Sequence, residues 1–194
     1  MNLTKFMQEY NILKKTPRTG WLSCAVPLAE VKSVAEHILD TTTIAMLLIE
    51  TFKENGYSVN SSRVLKLALI HDWAEMRILD IPYTSKKYFT NKLGIEESAL
   101  RDILGESGFC EDITEEYIGL CKSKGHGLEG KIVGVADLLS MFFEHIELRK
   151  RGFRSRELDD HYKNCKDDIK KYCRGYEFLN DILADIDAEI QSYE

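Results

Sequence analysis

Apolar residues recur along most of the chain at steps of three and four, the spacing that gathers them on one face of an α-helix. Leu3, Phe6, Met7, Tyr10 and Leu13 set this period at the N-terminus and predict a short amphipathic helix. Thr16-Pro17-Arg18-Thr19-Gly20 interrupts it, and an irregular segment is expected through Pro27. Ser33-Val34-Ala35-Glu36 has the order of a capping box, and Gly56 stands where a C-terminal glycine belongs. One long helix is predicted between them, with Val34, Ile38, Ala45, Leu48 and Phe52 facing inward.

Asn60 or Ser61 opens a third helix, apolar at Val64, Leu65, Ala68 and Leu69 and running to about Met76. Pro82 blocks easy continuation, so 77–90 reads as a polar loop. Helices are expected next over about 95–106 and 112–124, the second opened by Asp112 and Glu115, with a break at Gly125-His126-Gly127. Helices over about 128–151, 156–173 and 176–193 complete the chain. Sustained period-two alternation is missing, and neither a repeat nor a domain boundary shows. The expectation is one all-α domain over 1–194, a bundle of about seven to eight helices.

Composition narrows the class. The 194 residues include only 12 Gly and 3 Pro, which favours helix over loop. Apolar residues at 44%, with 10% aromatic, argue against disorder. A formal charge of −6 argues against coating nucleic acid polymers or a membrane surface, yet leaves room for a local basic pocket. The longest apolar runs, 44–49 and 64–70, fall far short of the ~18 residues of a membrane span. The start, Met1-Asn2-Leu3-Thr4-Lys5, lacks the layout of a signal peptide. The 5 cysteines are widely spaced with no Cys-x-x-Cys pair, a pattern that suits a reducing compartment. A cytoplasmic protein is expected.

Candidate chemistry lies in His37, in the pair His71-Asp72, and in Asp137, each expected inside a helix whose other inward positions are apolar. Asp137 sits in Ile132-Val133-Gly134-Val135-Ala136-Asp137-Leu138-Leu139, where an unpaired carboxylate is costly. It needs a metal ion or a Lys or Arg partner. A lone histidine on a helix is more often packed or solvated than a ligand. Together, however, these imidazoles and carboxylates from three helices form a plausible divalent-metal site. Without thiolates such a site suits Mn²⁺, Co²⁺, Fe²⁺, Zn²⁺ or Ni²⁺. His71 and Glu75 are four apart and share a helix face, which puts a carboxylate within reach of a water at the site. Arg18 offers a planar fork of donors for a phosphate.

These residues resemble the pattern H…HD…D of the HD-domain metal-dependent phosphohydrolases, over nearly the whole chain, and look closest to the branch of 5′-deoxynucleotidases. Pro17-Arg18-Thr19-Gly20-Trp21 carries part of the likeness. Glu30 with Ser33-Val34-Ala35-Glu36-His37 is similar to the family's E-S-V-x-E/D-H, and His71-Asp72-Trp73-Ala74-Glu75 followed by Asp80-Ile81-Pro82 is similar to H-D-x-x-E-x-x-x-G-D-I/L-P. The resemblance implies one divalent metal held by His37, His71, Asp72 and Asp137, with Glu75 and Asp80 catalytic. Arg18 matches the position that meets phosphate, Trp21 looks like the aromatic that helps reject a ribose 2′-hydroxyl, and Asp80 and Lys86 join the substrate site. Leu79 stands where the family usually has Gly, and Thr19-Gly20 separate the arginine from the tryptophan.

The implied activity is hydrolysis of the 5′-phosphate of (deoxy)ribonucleoside monophosphates, by a homodimer. The alternatives are a triphosphohydrolase or phosphodiesterase of the same superfamily, or a non-catalytic metal-stabilised nucleotide-binding module. His126 is a poor second-metal ligand, His145 and His161 are expected to be solvated, and Arg149-Lys150-Arg151 reads as a cluster favoured by a helix C-terminus.

Overall fold

A computed structural model describes residues 1–193, apart from the side chain of Lys86. Ten α-helical segments follow one another among the described residues. They are α1 (Leu3–Tyr10), α2 (Thr19–Leu22), α3 (Val34–Glu54), α4 (Ser61–Ile70), α5 (Glu75–Ile78), α6 (Lys92–Glu106), α7 (Glu111–Lys122), α8 (Gly127–Lys150), α9 (Arg156–Cys173) and α10 (Leu179–Gln191). Helices α2 and α5 are single turns, so the longer ones agree with the expected bundle. Short 3-10 turns cover Leu28–Glu30 and Tyr83–Tyr88, the latter inside the stretch expected to be loop. No strand occurs among the described residues, only an isolated antiparallel bridge between Pro17 and Ser33.

The Ser33 capping box forms. The Ser33 backbone N–H and hydroxyl both donate to the Glu36 carboxylate at 2.7 Å, and the Glu36 N–H donates back to the hydroxyl. Such a cap stabilises a helix start by about 1 kcal/mol. At the far end Gly56 takes φ +83, the left-handed value that ends a helix cheaply only at glycine. Helix α3 packs on α8 and α4, and its Ala45, Leu48, Ile49 and Phe52 join Leu67, Val135, Leu139 and Phe142 in the main core. Phe52 is fully buried there, worth about 2–3 kcal/mol of apolar transfer. Helices α9 and α10 close this core with Ile169, Ile186 and Ile190. A second core joins Phe6 and Leu13 to Ile38, Met76, Leu100 and Ile103.

Helix α4 ends at Ile70, short of the expected Met76. The following hydrogen bonds reach back three residues: Trp73 N–H to Ile70 O, Glu75 N–H to Asp72 O and Met76 N–H to Trp73 O, each at 3.0 Å. His71 and Asp72 therefore sit in a tightened turn at a helix end and not within a helix. The cause is tertiary, because Trp73 packs against Phe6, with ring centroids 5.0 Å apart, and against Tyr10 and Tyr117.

One expectation about a polar residue fails here, while Arg149 does lie in the last turn of α8. His145 is buried, stacked on Tyr162 at 5.0 Å, and receives the Arg149 Nε–H at 3.2 Å. Arg149 is itself buried and paired with Asp159. Both lie on the inward face of α8, whose apolar period their charged neighbours mask. No helix among the described residues is long and apolar enough to cross a membrane.

Candidate active site

The segment ahead of α3 is laced to that helix. Arg18 N–H donates to Lys32 O at 2.9 Å and Val34 N–H to Thr16 O at 2.8 Å, which sets Arg18 beside the first turn of α3. The α4–α5 turn presents His71, Asp72 and Glu75 to the same place, and α8 packs on α3 so that Asp137 meets His37. One donor atom each from His37, His71 and Asp72 gather within 4.8 Å of one another. Asp137 stands at the edge of this group, with Oδ1 3.0 Å from His37 Nε2.

The hydrogen bonds assign the protons on both rings. His71 Nδ1 lies 2.7 Å from the Ala68 carbonyl, which only accepts, so Nδ1 carries the hydrogen. Ser140 Oγ donates to the Asp137 carbonyl at 2.8 Å and lies 3.0 Å from His37 Nδ1, so it accepts from that ring. Each Nε2 is left with a lone pair, buried and without a hydrogen-bond partner. Yet His71 Nε2 is 3.2 Å from Asp72 Oδ2, and His37 Nε2 is 3.6 Å from that oxygen as well as 3.0 Å from Asp137. Lone pairs facing carboxylate oxygens repel unless positive charge lies between them. Protonating His37 is opposed by burial and then by Arg18, which push its pKa down to about 4. A divalent cation fits this donor set, with imidazole nitrogens fixed in the ligating tautomer by their other hydrogen bonds.

Burial works against the charge of Asp72, but positive charge shared with His71, together with Lys124 and Arg18, outweighs it and holds the carboxyl well below the usual range. Burial is likewise outweighed at Asp137 by Lys124 and by positive charge shared with His37. Glu75 behaves oppositely: burial, and then the charge of Asp72, push its carboxyl up to about 10. Its side chain is 8% exposed and its Oε2 lacks a hydrogen-bond partner. Arg18 gives one bond to Asp80 at 2.9 Å and stands 3.6 Å from Asp72.

A cavity of about 220 Å³ opens onto these groups, lined by Arg18, Asp72, Glu75, Asp80, Lys124 and Asp137 among others. Trp21 and His161 form part of its wall, rings 4.6 Å apart. Trp21 is 3% exposed and offers the cavity little more than an edge. His161 is not the solvated residue expected; burial, and then Arg18, push its pKa down to about 4. A larger groove of about 470 Å³, between Lys32, Phe143 and Glu189, carries none of this chemistry. The side chain of Lys86 lies outside the described residues.

Four neighbours escape a reading of the sequence. Lys124, in the turn before α8, is the Asp137 partner that the buried acid demanded, at 2.6 Å. Thr19 holds Asp80 through its backbone N–H at 2.6 Å and its hydroxyl at 2.5 Å. Ser140 orients His37. Buried Glu144, its carboxyl pushed up by burial, stands near Lys32 and Trp21. Asp137 signalled a cation without saying which, and Ser140 and Glu144 had a positional signal, being three and seven residues beyond Asp137 on one face of α8.

A family model described as HD domain matches residues 10–174. The 5′-deoxynucleotidase hdd1 of Schizosaccharomyces pombe is 36% identical over 191 residues, covering 95% of this chain and 90% of that protein. The 5′-deoxynucleotidase HDDC2 of Danio rerio is 30% identical over 164 residues, covering 80% and 76%. A solved structure, a conserved hypothetical protein from Pyrococcus furiosus, matches with a TM-score of 0.79 at 31% identity, over 94% of this chain and 98% of that one.

Proposed function

The chain belongs to the HD-domain family, and from that premise we propose that it hydrolyses the 5′-phosphate of (deoxy)ribonucleoside monophosphates. The names of its relatives in Schizosaccharomyces pombe and Danio rerio support that substrate class. The observation that carries the reading is the pair of buried Nε2 lone pairs aimed at Asp72 and Asp137, beside a guanidinium and a buried glutamate.

His37, His71, Asp72 and Asp137 hold one divalent ion, of the Mn, Co, Zn, Fe or Ni class. When bound, such an ion supplies positive charge against phosphoryl oxygens and makes a neighbouring water more acidic. Arg18 binds the phosphate through the guanidinium edge that Asp80 leaves free. Glu75 takes the proton of the attacking water; a cation beside Asp72 offsets the charge that otherwise keeps this carboxyl protonated. The water oxygen bonds to phosphorus as the bond to the 5′-oxygen breaks, the leaving oxygen takes up the proton that Glu75 accepted, and the products are nucleoside and inorganic phosphate. Asp80 has both oxygens engaged by Arg18 and Thr19, which supports an anchoring role over proton donation. Trp21 closes the sugar side of the cavity, and Lys86 lies on the 3-10 turn near its mouth. A single domain over 1–194 acting as a homodimer in the cytoplasm belongs to the same reading.

The test is phosphate release from matched AMP and dAMP with Mn²⁺, Co²⁺, Zn²⁺ or Mg²⁺. Free phosphate together with nucleoside is the expected result. Activity confined to triphosphates or diesters, or none with any metal, overturns the reading. Sedimentation equilibrium checks the dimer.

A further inference from the structure

Asp137 divides its carboxylate between two partners. Oδ1 faces His37 Nε2 at 3.0 Å, while Oδ2 takes the Lys124 ammonium at 2.6 Å. Lys124 is no loose surface lysine. Its turn is pinned to α8, where Gly125 N–H donates to Gly130 O at 2.8 Å. A Cβ on Gly130 would lie 1.8 Å from the Ser123 carbonyl, so the turn rests directly on the helix backbone. The ammonium is thereby held in the wall of the 220 Å³ cavity, which it shares with Arg18 and Glu75.

A parallel runs across that cavity. Each acid of the proposed ligand set has its own cation: Asp72 has Arg18 at 3.6 Å, and Asp137 has Lys124 at 2.6 Å. A divalent ion on Asp72 and Asp137 draws on the same negative charge that these cations now neutralise. Arg18 and Lys124 then present surplus positive charge to whatever anion enters between them, and a phosphate monoester dianion has oxygens enough for both.

We propose that Lys124 is a second phosphate-binding cation of this site, lining the same cavity as Arg18 and tethered by Asp137. The proposal rests on the monophosphatase reading for its substrate. Its ammonium takes an oxygen of the substrate phosphate, and of the inorganic phosphate product, without losing contact with Asp137. A lysine that merely neutralises Asp137 would contribute nothing to anion affinity once the metal is bound.

The experiment is calorimetric titration of inorganic phosphate, and separately of deoxyadenosine, into Mn²⁺-loaded protein at measured metal content. Lys124→Met is expected to lower phosphate affinity by about tenfold or more, the loss of one charged hydrogen bond. Lys124→Gln, which keeps a donor for Asp137, is expected to lose as much, and Lys124→Arg to stay close to the parent. Deoxyadenosine affinity is expected to be unchanged in all three. Phosphate affinity equal to the parent's in Lys124→Gln overturns the proposal. So does a matched loss of phosphate and deoxyadenosine, or a parent that binds no phosphate. Turnover is not needed for this titration. A parent that binds phosphate through Lys124 yet releases none from any monophosphate sinks the monophosphatase reading alone.

Discussion

Thr19 and Asp80, 61 residues apart, are joined twice through one oxygen: the Thr19 N–H donates to Asp80 Oδ2 at 2.6 Å and the Thr19 hydroxyl at 2.5 Å. The other carboxylate oxygen receives Arg18 at 2.9 Å. Thr19 thus fixes the acid that fixes the arginine. Thr19→Val retains the N–H bond and loses the hydroxyl bond, so stability is expected to fall by about 1 kcal/mol in urea denaturation. In the same variant kcat/KM for a monophosphate is expected to fall by about tenfold as Arg18 loosens. An unchanged kcat/KM would show that Asp80 holds Arg18 unaided.

Leu79 has φ +60 and ψ 174, a region that glycine occupies freely and other residues only under strain. It is half exposed, so its side chain contributes little packing. Leu79→Gly is expected to stabilise the protein by about 1 kcal/mol, the relieved strain less the entropy that glycine loses on folding. Leu79→Ala recovers none of it. Denaturant midpoints decide, and a destabilised glycine variant contradicts the account.

Glu75 is buried, with one oxygen lacking a hydrogen-bond partner in the cavity beside Asp72. Glu75→Gln is expected to reduce turnover at least about a hundredfold, the scale of a lost general base. Metal content, read by elemental analysis, is expected to stay at the parent's level. Loss of metal along with activity would make Glu75 a ligand instead.

Adding Mn²⁺, Co²⁺ or Zn²⁺ to metal-stripped protein is expected to raise its thermal midpoint, since a ligand at 100 times its Kd adds about 2.7 kcal/mol to stability. His71→Ala removes one of the two lone pairs and is expected to abolish most of that rise. Equal rises in parent and variant would place the ion elsewhere.

Glu106 accepts from Arg77 and from Lys5, which hold its carboxyl down at about 2 against an ordinary 4.5. A carboxyl depressed on folding contributes stability above its ordinary value, and this is lost as pH falls toward the folded value. The thermal midpoints of parent and Glu106→Gln are therefore expected to differ by a constant, small amount above pH 4.5 and to converge toward pH 2. A gap that widens on acidification reverses the sign and refutes the pairing.

Much of this architecture is legible locally. Ser33, Glu36 and Gly56 bound α3 through interactions within a few residues, and His37 follows from the period they set. The premature end of α4 is different. Neither glycine nor proline marks His71, and the turn forms because Trp73 is drawn toward Phe6, which lies far away in sequence. Lys124 stands among polar residues and glycines and looks like ordinary turn, although Asp137 in its aliphatic stretch required a cation from somewhere. His145 and His161 neighbour Glu144 and Asp160, and those charges conceal that one packs in the core and the other on a cavity wall. Periodicity reports which face is inward, and it is silent on which distant side chain arrives there.

Because Arg18, His71, Lys124 and Asp137 come from separate stretches, the cavity has no precursor in any contiguous fragment. A ribosome makes Arg18 early and Asp137 late. A nascent chain therefore cannot close this cavity until α8 has left the exit tunnel.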